Sequence, residues 1–200
     1  MRQSVWPSVF DLARDYVSHI HVHVAQSLML VVCMACLADE VQDATPDTVN
    51  LMTSSGATCA CRAKIPASKE PLGLMRSDGK RPDGVTLIPW SHGKCLTWDV
   101  TVPDTMATSH VQATSTAAGA AADRAAANKK TKYAALQSTH IFVPVSVETM
   151  GSWNCESLNF VNNIGRKLTA VTGDPLETSY LFQRLSVAIQ RGNEVSFIGT

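Results

Sequence analysis

The sequence predicts an α/β domain: a small mixed sheet, made of a hairpin plus a parallel crossover strand, flanked by helices. Three observations predict it. Residues 96–102 alternate strictly between apolar and polar, the period of a strand with one covered face. An alanine-rich stretch without proline follows them, and after it comes a third β-branched and aromatic run, His140–Glu148. Strand, helix, strand in that order implies a parallel crossover.

The elements follow in chain order. Residues 1–42 read as a helical N-terminal extension, and residues 43–68 read as a linker rich in Thr, Ser, Asp, Gly and Pro without a sustained period. The domain proper is expected over residues 69–200. Leu74–Gly84 is a polar, turn-rich approach to a strand over Val85–Trp90, and Ser91-His92-Gly93-Lys94 has the chemistry of a tight turn. In the second strand, Leu96, Trp98, Val100 and Val102 share one face, Thr97, Asp99 and Thr101 share the other, and Pro103 ends it. Eleven of the 25 residues from 111 to 135 are alanine, so one helix is expected over Val111–Thr139. Its last turns carry Lys129, Lys130 and Lys132, where the helix dipole favours cations. Pro144 marks the third strand as an edge or a bulge. Two helices close the chain, Glu156–Thr172 stopped by Gly173 and Glu177–Arg191 stopped by Gly192.

Composition bounds the function. The 200 residues are 45% hydrophobic, enough for a core, and Lys+Arg 17 against Asp+Glu 17 gives no net charge. No overall positive field announces nucleic acid, so any such role must come from a local patch. Residues 1–68 hold four basic and six acidic side chains, leaving 13 basic and 11 acidic for residues 69–200. The working part is therefore expected in the second portion.

The six cysteines (33, 36, 59, 61, 95, 155) form no dense secreted-type framework. Cys33-x-x-Cys36, preceded by His19, His21 and His23, lacks the second regularly spaced ligand pair of a zinc site, and we read these residues as packing. The clean apolar run Leu28–Ala38 is eleven residues, short of the roughly 20 that span a bilayer. No membrane association is expected.

Two aspartates carry the chemistry. With the turn centred on His92–Gly93, Asp99 lies across from Thr86, and Asp83 stands three residues along, about 10 Å away. Side chains of about 3–4 Å reach on a twisted or bulged hairpin can still converge on one small cation, and Mg2+ is commonly held by one or two carboxylates plus substrate phosphate.

Lys80-Arg81-Pro82-Asp83, with fifteen residues between Asp83 and Asp99, and then Trp98-Asp99-Val100-Thr101-Val102, resemble the restriction-like endonuclease domain of non-LTR retrotransposon polyproteins, of the PD-(D/E)xK superfamily. The run from Lys69-Glu70-Pro71 to Gly84, the helix ending Lys129-Lys130-Thr131-Lys132-Tyr133 and the tail Phe182–Gln190 are similar to C-terminal segments of retroelement reading frames. The likeness covers about residues 57–200.

The resemblance implies Mg2+- or Mn2+-dependent hydrolysis of a DNA phosphodiester, nicking a target for primed reverse transcription in the nucleus, with no small-molecule cofactor. It assigns the metal to Asp83 and Asp99. The superfamily's usual lysine, two positions after the second acid, is replaced here by Thr101. In the retroelement branch the next helix supplies the lysine, so Lys129, Lys132 and the adjacent Tyr133 are the catalytic candidates. Lys80, Arg81 and Lys94 are candidates for DNA phosphate, Glu70 and Glu148 are candidate extra carboxylates, and Trp90 and Trp98 either stack on bases or pack the core. The Cys/Cys/His/Cys and Arg-His-Asn elements that usually precede the domain do not occur. The alternative expectation is a truncated, catalytically inactive remnant with at most nucleic-acid binding.

Overall fold

A computed structural model describes residues 63–198. The expectations for the N-terminal helices, the Cys33/Cys36 pair and the apolar run fall outside these residues.

Four strands form one open sheet in the order β1-β2-β3-β4: β1 is Ala67–Lys69, β2 Gly84–Thr86, β3 Leu96–Thr101 and β4 Ile141–Ser146. The first three are antiparallel neighbours, and β4 pairs parallel to β3. The mixed α/β class and the parallel crossover are as expected, and Pro144 lies on an edge strand.

Between β3 and β4 run a short helix α1 (Val111–Thr114) and the crossover helix α2 (Ala120–Lys132). After β4 come α3 (Cys155–Thr172) and α4 (Glu177–Ile198). α2 covers one face of the sheet and α3 covers the other, with α4 packed on α3.

The alternation in β3 drives this layering. Leu96, Trp98, Val100 and Val102 join Val145, Val147, Phe160, Val161, Ile164 and Leu168 in the main apolar core. On the opposite face Ala122, Ala126 and Tyr133 are buried at helical spacing on α2, and the Tyr133 ring lies 4.9 Å from that of Phe142. Lys129 falls on that same stripe, which directs it at the sheet.

Several boundaries differ from expectation. Ala63 and Ile65 are buried in the core and β1 takes Ala67 and Ser68, so the segment read as linker already belongs to the domain. The expected 29-residue helix is broken at residues 115–119. Ser115 and Thr116 hydroxyls bond back to the Gln112 and Ala113 carbonyls, and Gly119 takes φ 88° against the Trp153 carbonyl. Gly173 ends α3 in a left-handed conformation, as expected. Gly192 does not stop α4, which runs on to Ile198.

The hairpin register matters most for the site. His92 and Gly93 both have positive φ and Ser91 bridges Lys94, so the turn falls where the sequence places it. Below it the first arm carries three extra residues. Pro89 has no N–H for the ladder, and the Thr86 hydroxyl accepts from the Leu96 amide while donating to the Ile88 carbonyl. Gly84 therefore pairs with Trp98, not with Thr101. The expected strand Val85–Trp90 is reduced to Gly84–Thr86.

Candidate functional site

The corrected register sets Asp83 directly opposite Asp99 on the face covered by α2, where the sequence reading had left it three residues away. Asp83 is held at three points. Its amide donates to the Trp98 carbonyl at 3.0 Å, its carbonyl accepts from the Glu70 amide at 2.8 Å, and its Oδ2 accepts from the Val100 amide at 2.6 Å. Across the ladder, a Cβ at Gly84 would sit 2.2 Å from the Trp98 ring. The indole thus occupies the space of the missing side chain, and Trp98 is a core residue rather than a stacking platform.

Asp99 is buried, 3% exposed. Lys129 reaches it with a short hydrogen bond from Nζ to Oδ1, and Lys132 Nζ stands 3.8 Å from Oδ2. Tyr133 lies close enough to Asp99 for that carboxylate to raise its pKa, and its hydroxyl donates to the Arg81 carbonyl at 2.8 Å. The structure thus brings together all five expected catalytic residues, Asp83, Asp99, Lys129, Lys132 and Tyr133. They come from three places in the chain that only the sheet and its crossover helix make neighbours.

The electrostatics follow from crowding. Burial, and then the charge of Asp99, raise the Asp83 pKa to about 6, against an opposing pull from the Val100 amide and Lys129. Burial, Asp99 and Asp83 also raise the Tyr133 pKa far above its ordinary value, so Tyr133 is a phenol donor and not a base. Lys132 is pushed below the usual lysine range, first by desolvation and then by the nearby cations Lys129, Lys80 and Arg76, although Asp99 opposes them.

Two carboxylates crowded in a partly dehydrated place present hard oxygen donors without an internal cation ligand set of their own. Among the described residues, no three His, Cys, Asp or Glu side chains gather. Carboxylate oxygens are the donor type Mg2+ and Mn2+ accept, commonly one or two of them with water and phosphate completing the shell.

The remaining candidates separate. Arg81 is ion-paired with Glu70, which lies close enough to raise the Asp83 pKa. Glu70 therefore sits at the rim of the site. Lys94 donates to the Gln137 carbonyl at 3.1 Å, tying the hairpin to the 3-10 turn after α2. Glu148 is 1% exposed and accepts from the Ala121 and Ala122 amides at 2.9 and 3.4 Å. It caps the start of α2, where the helix dipole favours an anion. Trp90 lies under Lys167, 4.6 Å from Nζ to the ring centre. Arg76 was not anticipated: its guanidinium lies 5.8 Å from the centre of the Tyr133 ring.

These features define a mixed α/β domain with a carboxylate–lysine cluster at the junction of hairpin and crossover helix. No protein-family model matches the chain, and no curated protein matches it.

Proposed function

We propose that this domain is a restriction-endonuclease-like nuclease of retroelement origin that nicks DNA, with Mg2+ or Mn2+ held by Asp83 and Asp99. One observation carries the reading. Asp99 faces Asp83 across the hairpin while Lys129 and Lys132 reach its carboxylate from the crossover helix, with Tyr133 beside them bonded to the Arg81 carbonyl. The lysine that is absent at Thr101 is supplied from α2, the arrangement the retroelement likeness calls for.

A divalent cation bound there would lower the pKa of a bound water and neutralise phosphoryl charge. The side chains define the rest. Asp83 must be ionised to hold a cation, which happens above about pH 6. Lys129 and Lys132 put two ammonium groups beside the acid pair, where they stabilise negative charge developing on a phosphate. Tyr133, held protonated, fixes the Arg81 carbonyl and so the Pro82–Asp83 approach.

A second reading, an inactive remnant that at most binds nucleic acid, is favoured by the same ion pairs. Lys129 and Lys132 already neutralise Asp99, which is enough to account for its burial.

Nicking of supercoiled plasmid separates the two. The full chain with Mg2+ is expected to convert plasmid to open circles. Asp83→Asn and Asp99→Asn should abolish this, and Lys129→Met should slow it by roughly 100-fold or more. A folded chain that never nicks in Mg2+ or Mn2+, or nicking that survives both aspartate substitutions, overturns the nuclease reading.

A further inference from the structure

A cleft of about 470 Å³, which shares Lys132 and Tyr133 with the cluster, lies between Gly73–Ser77 and the end of α2. Lys132 and Tyr133 form one wall and Arg76 the other. The Tyr133 ring is bracketed by two cations, Lys132 Nζ at 4.5 Å and the Arg76 guanidinium carbon at 5.8 Å from its centre. A tight turn fixes Arg76 relative to Lys80. The Arg76 amide donates to the Lys80 carbonyl at 2.8 Å, and the Gly79 amide donates to the Arg76 carbonyl at 3.0 Å.

Two acidic groups face these cations: Asp78, paired with Arg76 Nε at 3.3 Å, and Asp99, paired with Lys132 and Lys129. With Asp83 counted beside Asp99, four cations face three anions here, and the charged side chains lining the cleft itself are Arg76 and Lys132. Arg76 Nη1 is covered and has no acceptor among the described residues. The side chain as a whole is 33% exposed, and a guanidinium's planar fork matches a phosphate. Of the three phosphate candidates from the sequence, Arg81 and Lys94 are tied to Glu70 and Gln137, whereas Lys80 is exposed on the turn that bonds to the Arg76 amide.

We propose that this cleft is a subsite for a backbone phosphate of the DNA strand, held by Arg76, Lys80 and Lys132 against the edge of Tyr133. The proposal rests on the DNA reading above and adds where the strand runs after leaving the acid pair. Lys132 belongs to both places, so the subsite would set the strand's register over Asp83 and Asp99.

The test is fluorescence anisotropy of the full chain with a labelled 20-base-pair duplex in EDTA, where no cleavage occurs. Arg76→Gln and Lys80→Gln are each expected to weaken binding about three- to tenfold and to reduce the salt slope by about one. Arg166→Gln, an exposed arginine on α3 bonded to Asn163, is the control and should bind as wild type. Lys80 is exposed and makes no core contact, so its variant keeps the test valid if Arg76→Gln disturbs the bend.

No binding by the wild-type chain, or binding by Arg76→Gln and Lys80→Gln equal to the control, overturns the subsite. The two proposals fail separately. A chain that binds through Arg76 and Lys80 but never nicks contradicts only the nuclease reading. A chain that nicks while both variants bind normally contradicts only the subsite.

Discussion

On one face of β3, Leu96, Trp98 and Val100 meet α3 and α4 in the main core; on the other, Thr97 and Asp99 meet α2. Both faces are buried, yet for different reasons. The apolar face is held by area removed from water. The polar face holds two carboxylates, two lysines and a phenol, a combination that burial alone disfavours. The contrast teaches that residues one position apart on a strand can answer oppositely to truncation. The apolar face should lose stability with every side chain removed. Asp83, opposite Asp99, should gain stability when its charge is neutralised, because burial and then the charge of Asp99 disfavour its ionised form.

The comparison can be tested from its largest effect downward. Trp98→Ala is expected to destabilise the domain by about 3–5 kcal/mol, read from urea midpoints. A loss under about 1 kcal/mol would mean that the indole is not a core element.

Asp83 gives the opposite sign. Its folded pKa of about 6 lies above the ordinary carboxylate value of 3.8, so the folded state favours the protonated form. Stability is fully present below about pH 4 and falls as pH rises through 6, by up to about 3 kcal/mol without a divalent cation. Asp83→Asn, whose amide oxygen can still accept from Val100, should flatten that profile and exceed wild type at pH 7. Urea titrations at pH 4, 5, 6 and 7 in EDTA check this, and a flat wild-type profile would remove the crowding argument.

Gly84→Ala should cost about 1–3 kcal/mol, because its Cβ would meet the Trp98 ring. Thermal melts would show it, and a neutral result would place the indole elsewhere. The smallest effect sharpens the boundary of the polar face. Glu148→Gln should cost only about 1 kcal/mol and leave nicking unchanged, since Glu148 caps α2 and does not join the acid pair.

The sequence made the two faces of β3 legible because alternation is a local signal that burial on both sides preserves. The presence of the crossover helix and its terminal lysines was legible too, since alanine propensity survives packing, although its bounds and its buried stripe were not. The register was not. Its turn at His92–Gly93 is readable, but the three-residue offset depends on Pro89 and on the Thr86 side chain bonding across to Leu96. β1 was missed because three residues after Pro66 carry no period, and their strand exists only by pairing with β2. The break at Gly119 was missed because it depends on the distant Trp153 backbone. Gly192 was over-read as a stop: helix packing on α3 overrides a propensity penalty of about 1 kcal/mol. For the site, the residue identities were readable, whereas the Arg76 approach to Tyr133 was not, because a turn 57 residues earlier in the chain delivers it.

The central claim is that Asp83 and Asp99 share one divalent cation. Mn2+ binding to the full chain at pH 7.5, followed by electron paramagnetic resonance of the free ion, tests it most directly. The account predicts one bound ion for wild type and none for Asp83→Asn or Asp99→Asn. Binding that is absent from the folded wild-type chain, or unchanged in both variants, would contradict it.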